Sequence, residues 1–349
     1  MSSSRHRARR FATLAGGMLA SSCGSLTEAW QLTDFRVLGV RAYAVDEPAR
    51  NAPRRGERAA LELVTADVRA RPVKVAWLIV NSVSFGSAPA AGSDGGGGGA
   101  SMGGLRLPDI DLCELPQFAV DLPGVSLRCG ERAQFVVPST GGPDARGRES
   151  LTIFGMACAG GRIRVRSSGD GGSSAPGGLP FECTSDDGTH RGWPFQYTLL
   201  VGSAGGGTGN DNRHPRITGV RAGLRGGTLA PVTAEAPPTI PRCADQSRMT
   251  QCPRLRVEVD FDDASRERFP ELDPNTRMTV TREERLVTGF VVNRGKLAGG
   301  FRTDSEAEPR AVMGNDLLPP ADPGPVRVIV YATDGRGGFD TREFSAIVQ

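Results

Sequence analysis

A seven-residue stretch occurs twice in this chain. RVLGVRA at Arg36–Ala42 returns as RITGVRA at Arg216–Ala222, with five identities. Further matches follow in the same order. WLIVN (Trp77–Asn81) parallels GFVVN (Gly289–Asn293), LTIFGMACAGG (Leu151–Gly161) parallels VRVIVYATDGRGG (Val326–Gly338), and YTLLV (Tyr197–Val201) parallels FSAIV (Phe344–Val348). Ordered self-similarity of this kind constrains the chain to build one unit twice. The expected units span 35–203 and 214–349, joined by a Gly-rich linker at 204–213.

Each matched block reads as a strand: short, aliphatic or β-branched, and bounded by Gly, Pro, Asn or Asp. LRVEVDF places Leu255, Val257, Val259 and Phe261 on one face and Arg256, Glu258 and Asp260 on the other. Such alternation needs a sheet with one buried and one wet face. VKVAWLIV and VRVIVYA alternate at their starts and then turn continuously apolar, as an inner strand of a sandwich would. Helical periodicity is nearly absent, and the best helix candidate is DASRERF, about two turns long. The predicted fold class is all-β: two β-sandwiches in tandem with long Gly-rich loops. Trp77, mid-strand beside Leu78 and Ile79, is expected to fill the core of the first copy, opposite Gly289 in the second.

The N-terminus predicts an address. RHRARR is a positive segment, and FATLAGGMLA is an apolar run of about ten residues, too short to span a bilayer. Together they read as a secretory signal over 1–22. LASSC then resembles the lipobox of bacterial lipoproteins, with Leu19 one position further from Cys23 than in the common pattern. That resemblance implies cleavage before Cys23, lipidation of its thiol and a tether over 23–34. Gly24 after the cysteine implies the outer membrane.

TDFRVLGVRAYAVDEPARNAPRRGERAALELVTAD resembles the first two strands of an immunoglobulin-like domain, and VIVYATDGRGGFDTREFSAIV resembles its last hairpin. The arrangement is similar to bacterial envelope lipoproteins with tandem immunoglobulin-like domains. The resemblance implies a non-catalytic protein of the cell envelope with no cofactor. It would be held to the membrane by its lipid and bind an envelope protein or polysaccharide.

With Cys23 assigned to lipid, six cysteines remain: Cys113, Cys129, Cys158, Cys183, Cys243 and Cys252. An even remainder in an exported chain predicts disulfides. No C-x-x-C occurs and the spacing is not that of zinc ligands. Cys243 pairs naturally with Cys252. The other four permit three connectivities that spacing does not separate; the pairing adopted is Cys113–Cys129 with Cys158–Cys183.

Charge removes one class of function. The chain carries a formal net charge of +3, but residues 1–22 hold four arginines and no acid, so the remainder stands at −1. A nucleic-acid binder needs a basic face, which this balance does not supply.

Several constellations read as structural. GSDGGGGGASMGG lacks the Gly-Lys-Ser/Thr ending of a phosphate loop. DGRGGFD (Asp334–Asp340) reads as a hairpin tip; its calcium reading has two carboxylates where six to eight oxygens are needed. DFDDASRE reads as a strand end with a cap, and PDIDLCELP as a bridged acidic loop. Outside 1–22 the histidines are His190 and His214. Convergence of either with Asp260 and Asp262 in one pocket would signal a metal-dependent hydrolase. Trp193, flanked by Gly and Pro, and Tyr197 are the candidate ligand contacts. If they lie exposed in a groove, they favour a carbohydrate-binding or accessory module.

Overall fold

The computed structural model describes residues 30–80, 111, 113–114, 119–122, 125–138, 149–165, 181–185, 192–202, 212–245, 248, 250–273, 275–299, 301–303 and 313–349. The signal segment, Cys23, the Gly-rich loop after Phe85, His190 and most of the expected linker lie outside the described residues.

The described residues are all-β, with no α-helix among them. The first half contributes β1 (Arg36–Ala44), β2 (Arg58–Ala66), β3 (Val73–Val80), β4 (Ala119–Leu122), β5 (Val125–Cys129), β6 (Arg132–Val136), β7 (Glu149–Ala159), β8 (Gly161–Val165), β9 (Phe181–Ser185) and β10 (Gly192–Val201). The second half contributes β11 (Ile217–Leu224), β12 (Ala230–Pro231), β13 (Thr239–Ile240), β14 (Leu255–Phe261), β15 (Arg268–Leu272), β16 (Thr279–Glu283), β17 (Val287–Val292), β18 (Lys296–Leu297), β19 (Phe301–Thr303), β20 (Met313–Leu318), β21 (Gly324–Thr333) and β22 (Phe339–Val348).

Four main sheets result. Sheet I runs β1-β2-β6 and sheet II runs β10-β7-β3-β5-β4; sheet III runs β12-β11-β14-β20-β18 and sheet IV runs β13-β22-β21-β17-β19. Sheets I and II close on one apolar cluster, which includes Ala42, Leu61, Trp77, Phe135, Ile153 and Leu199. Sheets III and IV close on another, which includes Val220, Val257, Phe290, Leu317, Val328 and Ala346. Each closure is a β-sandwich with the crossed strand order of an immunoglobulin-like Greek key.

The repeat is visible in the hydrogen-bond ladder. β1 pairs with β2, and its register shifts between Val37 and Gly39; β11 pairs with β14, and its register shifts between Ile217 and Gly219. The same bulge therefore sits at the same place in RVLGVRA and RITGVRA. β7–β10 and β21–β22 likewise match, with Leu151 facing Leu199 and Val326 facing Ala346.

One correspondence is corrected. Trp77 and Ile79 enter the first core, and Phe290 and Val292 enter the second. WLIVN and GFVVN are thus aligned one residue out of phase. Side chains alternate faces with period two, so a one-residue slip exchanges inside for outside. By face, the counterpart of Trp77 is Phe290, not Gly289. Trp77 is fully buried, its Nε1–H donates to the Gly130 carbonyl at 2.7 Å, and its ring meets Phe195 edge-on at 5.2 Å.

β3 reads as continuously apolar for a reason found outside the sandwich, and β7 beside it shares that reason. Their outer faces carry Ala76, Leu78, Val80, Met156 and Cys158, and the β8–β9 hairpin covers them with Ile163, Phe181 and Cys183. The disulfides are Cys113–Cys129, Cys158–Cys183 and Cys243–Cys252, with Cα separations of 5.2, 5.5 and 5.3 Å. The first two lie in this third layer. A bridge thus pins β9 to β7, where a short hairpin alone would be marginal.

The DASRERF helix does not form. Asp263–Ser265 makes a single 3₁₀ turn capped by Asp262, and the chain re-enters a strand at Arg268. Two turns are too short to be stable without packing. Here the packing favours a strand, which puts Phe269 under the Arg336 guanidinium at 4.1 Å.

Candidate functional site

The segment expected as a tether is part of the fold from Trp30 onward. Trp30 is buried in the second core, and Gln31 bridges Val292 in parallel. Leu32 N–H donates to the Val292 carbonyl at 2.8 Å, and Val292 N–H donates to the Trp30 carbonyl at 3.0 Å. From there the chain enters β1 of the first sandwich. It therefore stitches the two halves together before either is complete.

An apolar patch seals the joint. Leu32 and Ala66 pack against Val291 and Ile329, with Leu38 and Tyr331 at its margin. Val291, Ile329 and Tyr331 lie on the outer face of sheet IV, which explains why VRVIVYA lacks a wet face. Phe339 stacks on Tyr331 at 5.9 Å. It also fills the space over Gly39, where a Cβ would meet its ring at 2.5 Å. The glycine repeated in both copies is thus used in the first to receive an aromatic from the second.

Polar groups lock the other side. Asn51 N–H donates to the Asn212 carbonyl at 2.9 Å, and His214 N–H donates to the Ala49 carbonyl at 3.0 Å. Asn212 Nδ2 donates to Asp334 at 3.0 Å, Phe339 N–H donates to His214 Nδ1 at 3.1 Å, and the Tyr197 hydroxyl donates to the Gly337 carbonyl at 3.1 Å. Asp334 also accepts from the backbone N–H of Arg336 and Gly338, which shapes the β21–β22 tip. Arg336 is paired with Glu284 at 2.7 Å and reaches Glu267 at 3.9 Å. Burial raises the pKa of all three carboxyls, that of Glu284 to about 8. Burial, then nearby Arg41, lowers that of His214 to about 3, so its imidazole is neutral. For Glu284 desolvation is the leading cause, the charges of Asp334 and Glu267 add to it, and Arg336 offsets only part.

A groove of about 670 Å³ opens beside the joint. Thr33–Leu38, Arg71 and Trp193 come from the first half; Val291 and Tyr331 come from the second. Trp193 is 42% exposed. It lies on the core-facing parity of β10, continuing the series Val201, Leu199, Tyr197 and Phe195 past the end of the core. Arg71 is fixed by Asp67, through Nε at 2.8 Å, and by a close ion pair with Asp34. The Arg71 fork, as the leading cause, holds the Asp67 carboxyl down at about 2.

Of the two ligand-contact candidates, only Trp193 lines this groove. Tyr197 is turned into the joint, because its hydroxyl finds a carbonyl there. Sequence reasoning did not find Asp34, Arg71 or Tyr331. Their spacing carries no motif, and the groove exists only where the two halves meet.

Among the described residues, His214 does not converge with Asp260 and Asp262; His190 lies outside them. Asp260 is paired with Arg221 at 2.8 Å, Asp262 caps the 3₁₀ turn, and His214 is buried in the joint. Among the described residues no group of three His, Cys, Asp or Glu is arranged to hold a metal ion. Asp111, in the acidic loop, is buried against Lys74 at 2.5 Å. Comparison with known proteins matches this chain to no family model and to no curated protein.

Proposed function

We propose that this chain is a lipid-anchored protein of the bacterial envelope that binds a partner and catalyses nothing. The anchor is read from the arginine-rich start, the short apolar run and LASSC ending at Cys23. The observation that carries the binding role is where the polar chemistry is spent. The carboxyls pushed up by burial (Glu267, Glu284, Asp334) face Arg336 and the joint, as a structural network does. The exposed Trp193 faces a groove instead.

The anchor and the joint are compatible in reach. Six residues lie between Cys23 and Trp30, which makes seven Cα-to-Cα steps. Fully extended they span at most about 25 Å. A lipid on Cys23 therefore keeps the joint and its groove close to the membrane surface.

The test is the intact mass of the membrane-extracted protein, with and without reduction, beside a Cys23→Ala variant. Cleavage before Cys23, added acyl mass lost in the variant, and six protons gained on reduction are expected. An uncleaved chain without lipid would remove the anchor.

A further inference from the structure

We infer that the groove between the two halves is a saccharide site, taking a short run of sugar units against Trp193. The inference rests on the binding role proposed above and names its ligand class.

Its first support is Trp193. The core-facing stripe of β10 ends in a large aromatic that is 42% exposed and that no other described strand covers. An amphipathic ring of this size left in the open marks a contact surface more often than a packing residue. The second support is a charged pair lining the same groove. The Asp34 side chain is 44% exposed, while the Arg71 side chain beside it is only 16% exposed, its Nε and Nη2 already donating to Asp67 and Asp34. The groove therefore offers a flat aromatic face and an exposed carboxylate acceptor. A pyranose ring matches that pairing: its C–H face stacks on an aromatic, and its vicinal hydroxyls both donate and accept. The groove volume lies within the ~300–1,000 Å³ of small-ligand clefts.

Other occupants fit less well. A β-strand added at β10 would meet Pro194, which sits on that edge and lacks a ladder donor. A nucleic acid would meet a chain of net charge near −1 outside residues 1–22.

The experiment uses the detergent-solubilised full chain with chitotriose, cellotriose and maltotriose as probes. Trp30 is 8% exposed and Trp77 is fully buried, so a change in tryptophan emission reports Trp193. A saturable change with at least one trisaccharide below about 10 mM is expected. Saturation-transfer NMR on the sugar, which needs no tryptophan, should lose its signal in Trp193→Ala. Asp34→Asn, which keeps the aromatic, should weaken binding at least about tenfold. The unfolding midpoint of Trp193→Ala should match the parent, and that of Asp34→Asn should fall only slightly, for the loss of one partly exposed ion pair.

Absence of a response to all three sugars overturns the site. So does an equal NMR signal in Trp193→Ala, or saturation by a polyproline peptide with no saccharide response. The two readings fail separately. Trisaccharide cleaved to smaller sugars would end the non-catalytic reading and leave the groove standing. No sugar binding on a lipid-bearing chain would do the reverse.

Discussion

Trp77 shows how one side chain organises a sandwich. It is fully buried, its indole N–H is satisfied by Gly130, and its edge meets Phe195. Gly155 lies opposite it in β7, and a Cβ there would meet the Phe195 ring at 2.1 Å. The glycine is what lets the two aromatics meet. Trp77→Ala should cost about 3–5 kcal/mol, read from a denaturant titration. Trp77→Phe should cost less, yet still strand the Gly130 carbonyl. Trp193→Ala, by contrast, should change stability by no more than about 0.5 kcal/mol, because it packs no core. The core role of Trp77 was legible from its mid-strand apolar neighbours. Trp193 was legible only as an odd aromatic between Gly and Pro. Tyr197, named beside it as a possible ligand contact, shares its parity, and only tertiary contact separates the two.

Among elements, the β8–β9 hairpin is the one most dependent on covalent help. It covers the outer face of β3 and β7, and Cys158–Cys183 fastens it. Replacing both cysteines by Ala should lower stability by about 2–4 kcal/mol. It should also speed amide exchange along the outer-face residues of β7, measured by mass spectrometry. The Cys243–Cys252 bridge closes a shorter loop away from these clusters, so its removal should cost less. The strands themselves could be read from alternation, and the continuous runs of β3 and β21 marked them as covered on both faces. What covered them could not be read, because a third layer in one half and a partner sandwich in the other leave the same apolar signature.

At the scale of the whole molecule the joint decides behaviour. Leu32 and Val291 are nearly fully buried there. Leu32→Asp would bury an unpaired carboxylate at a cost of several kcal/mol. It should loosen the halves, seen as a larger radius of gyration in solution scattering, while Leu32→Met should leave that radius unchanged. The joint also makes stability depend on pH. An ordinary Glu loses its proton near 4.5, but Glu284 keeps it to about 8 because it is buried beside Asp334, with Arg336 only partly compensating. Between those values the folded chain holds a proton that the unfolded chain has lost, so stability falls as pH rises and levels off above 8. His214 acts in the opposite sense. Its proton affinity is depressed from 6.5 to about 3, so stability falls as pH drops through that range. Thermal unfolding should therefore be most resistant in mildly acidic buffer. Glu284→Gln should remove the decline between about pH 6.5 and 8 and leave the loss on acidification in place.

The amino-acid sequence by itself determined most of the strands, the repeated segments and the class of fold, because these follow from local alternation and self-similarity; the bulge the repeats share appeared only in the pairing register. The sequence also carried the six cysteines that pair as three disulfides. The tertiary structure alone decided that Trp30–Leu32 belong to the second sandwich, and that Gly39 receives Phe339. It alone set Tyr197 in the joint and Trp193 in a groove. Those outcomes depend on contacts between residues far apart in the chain, and neither period nor spacing records which distant surface a face will meet.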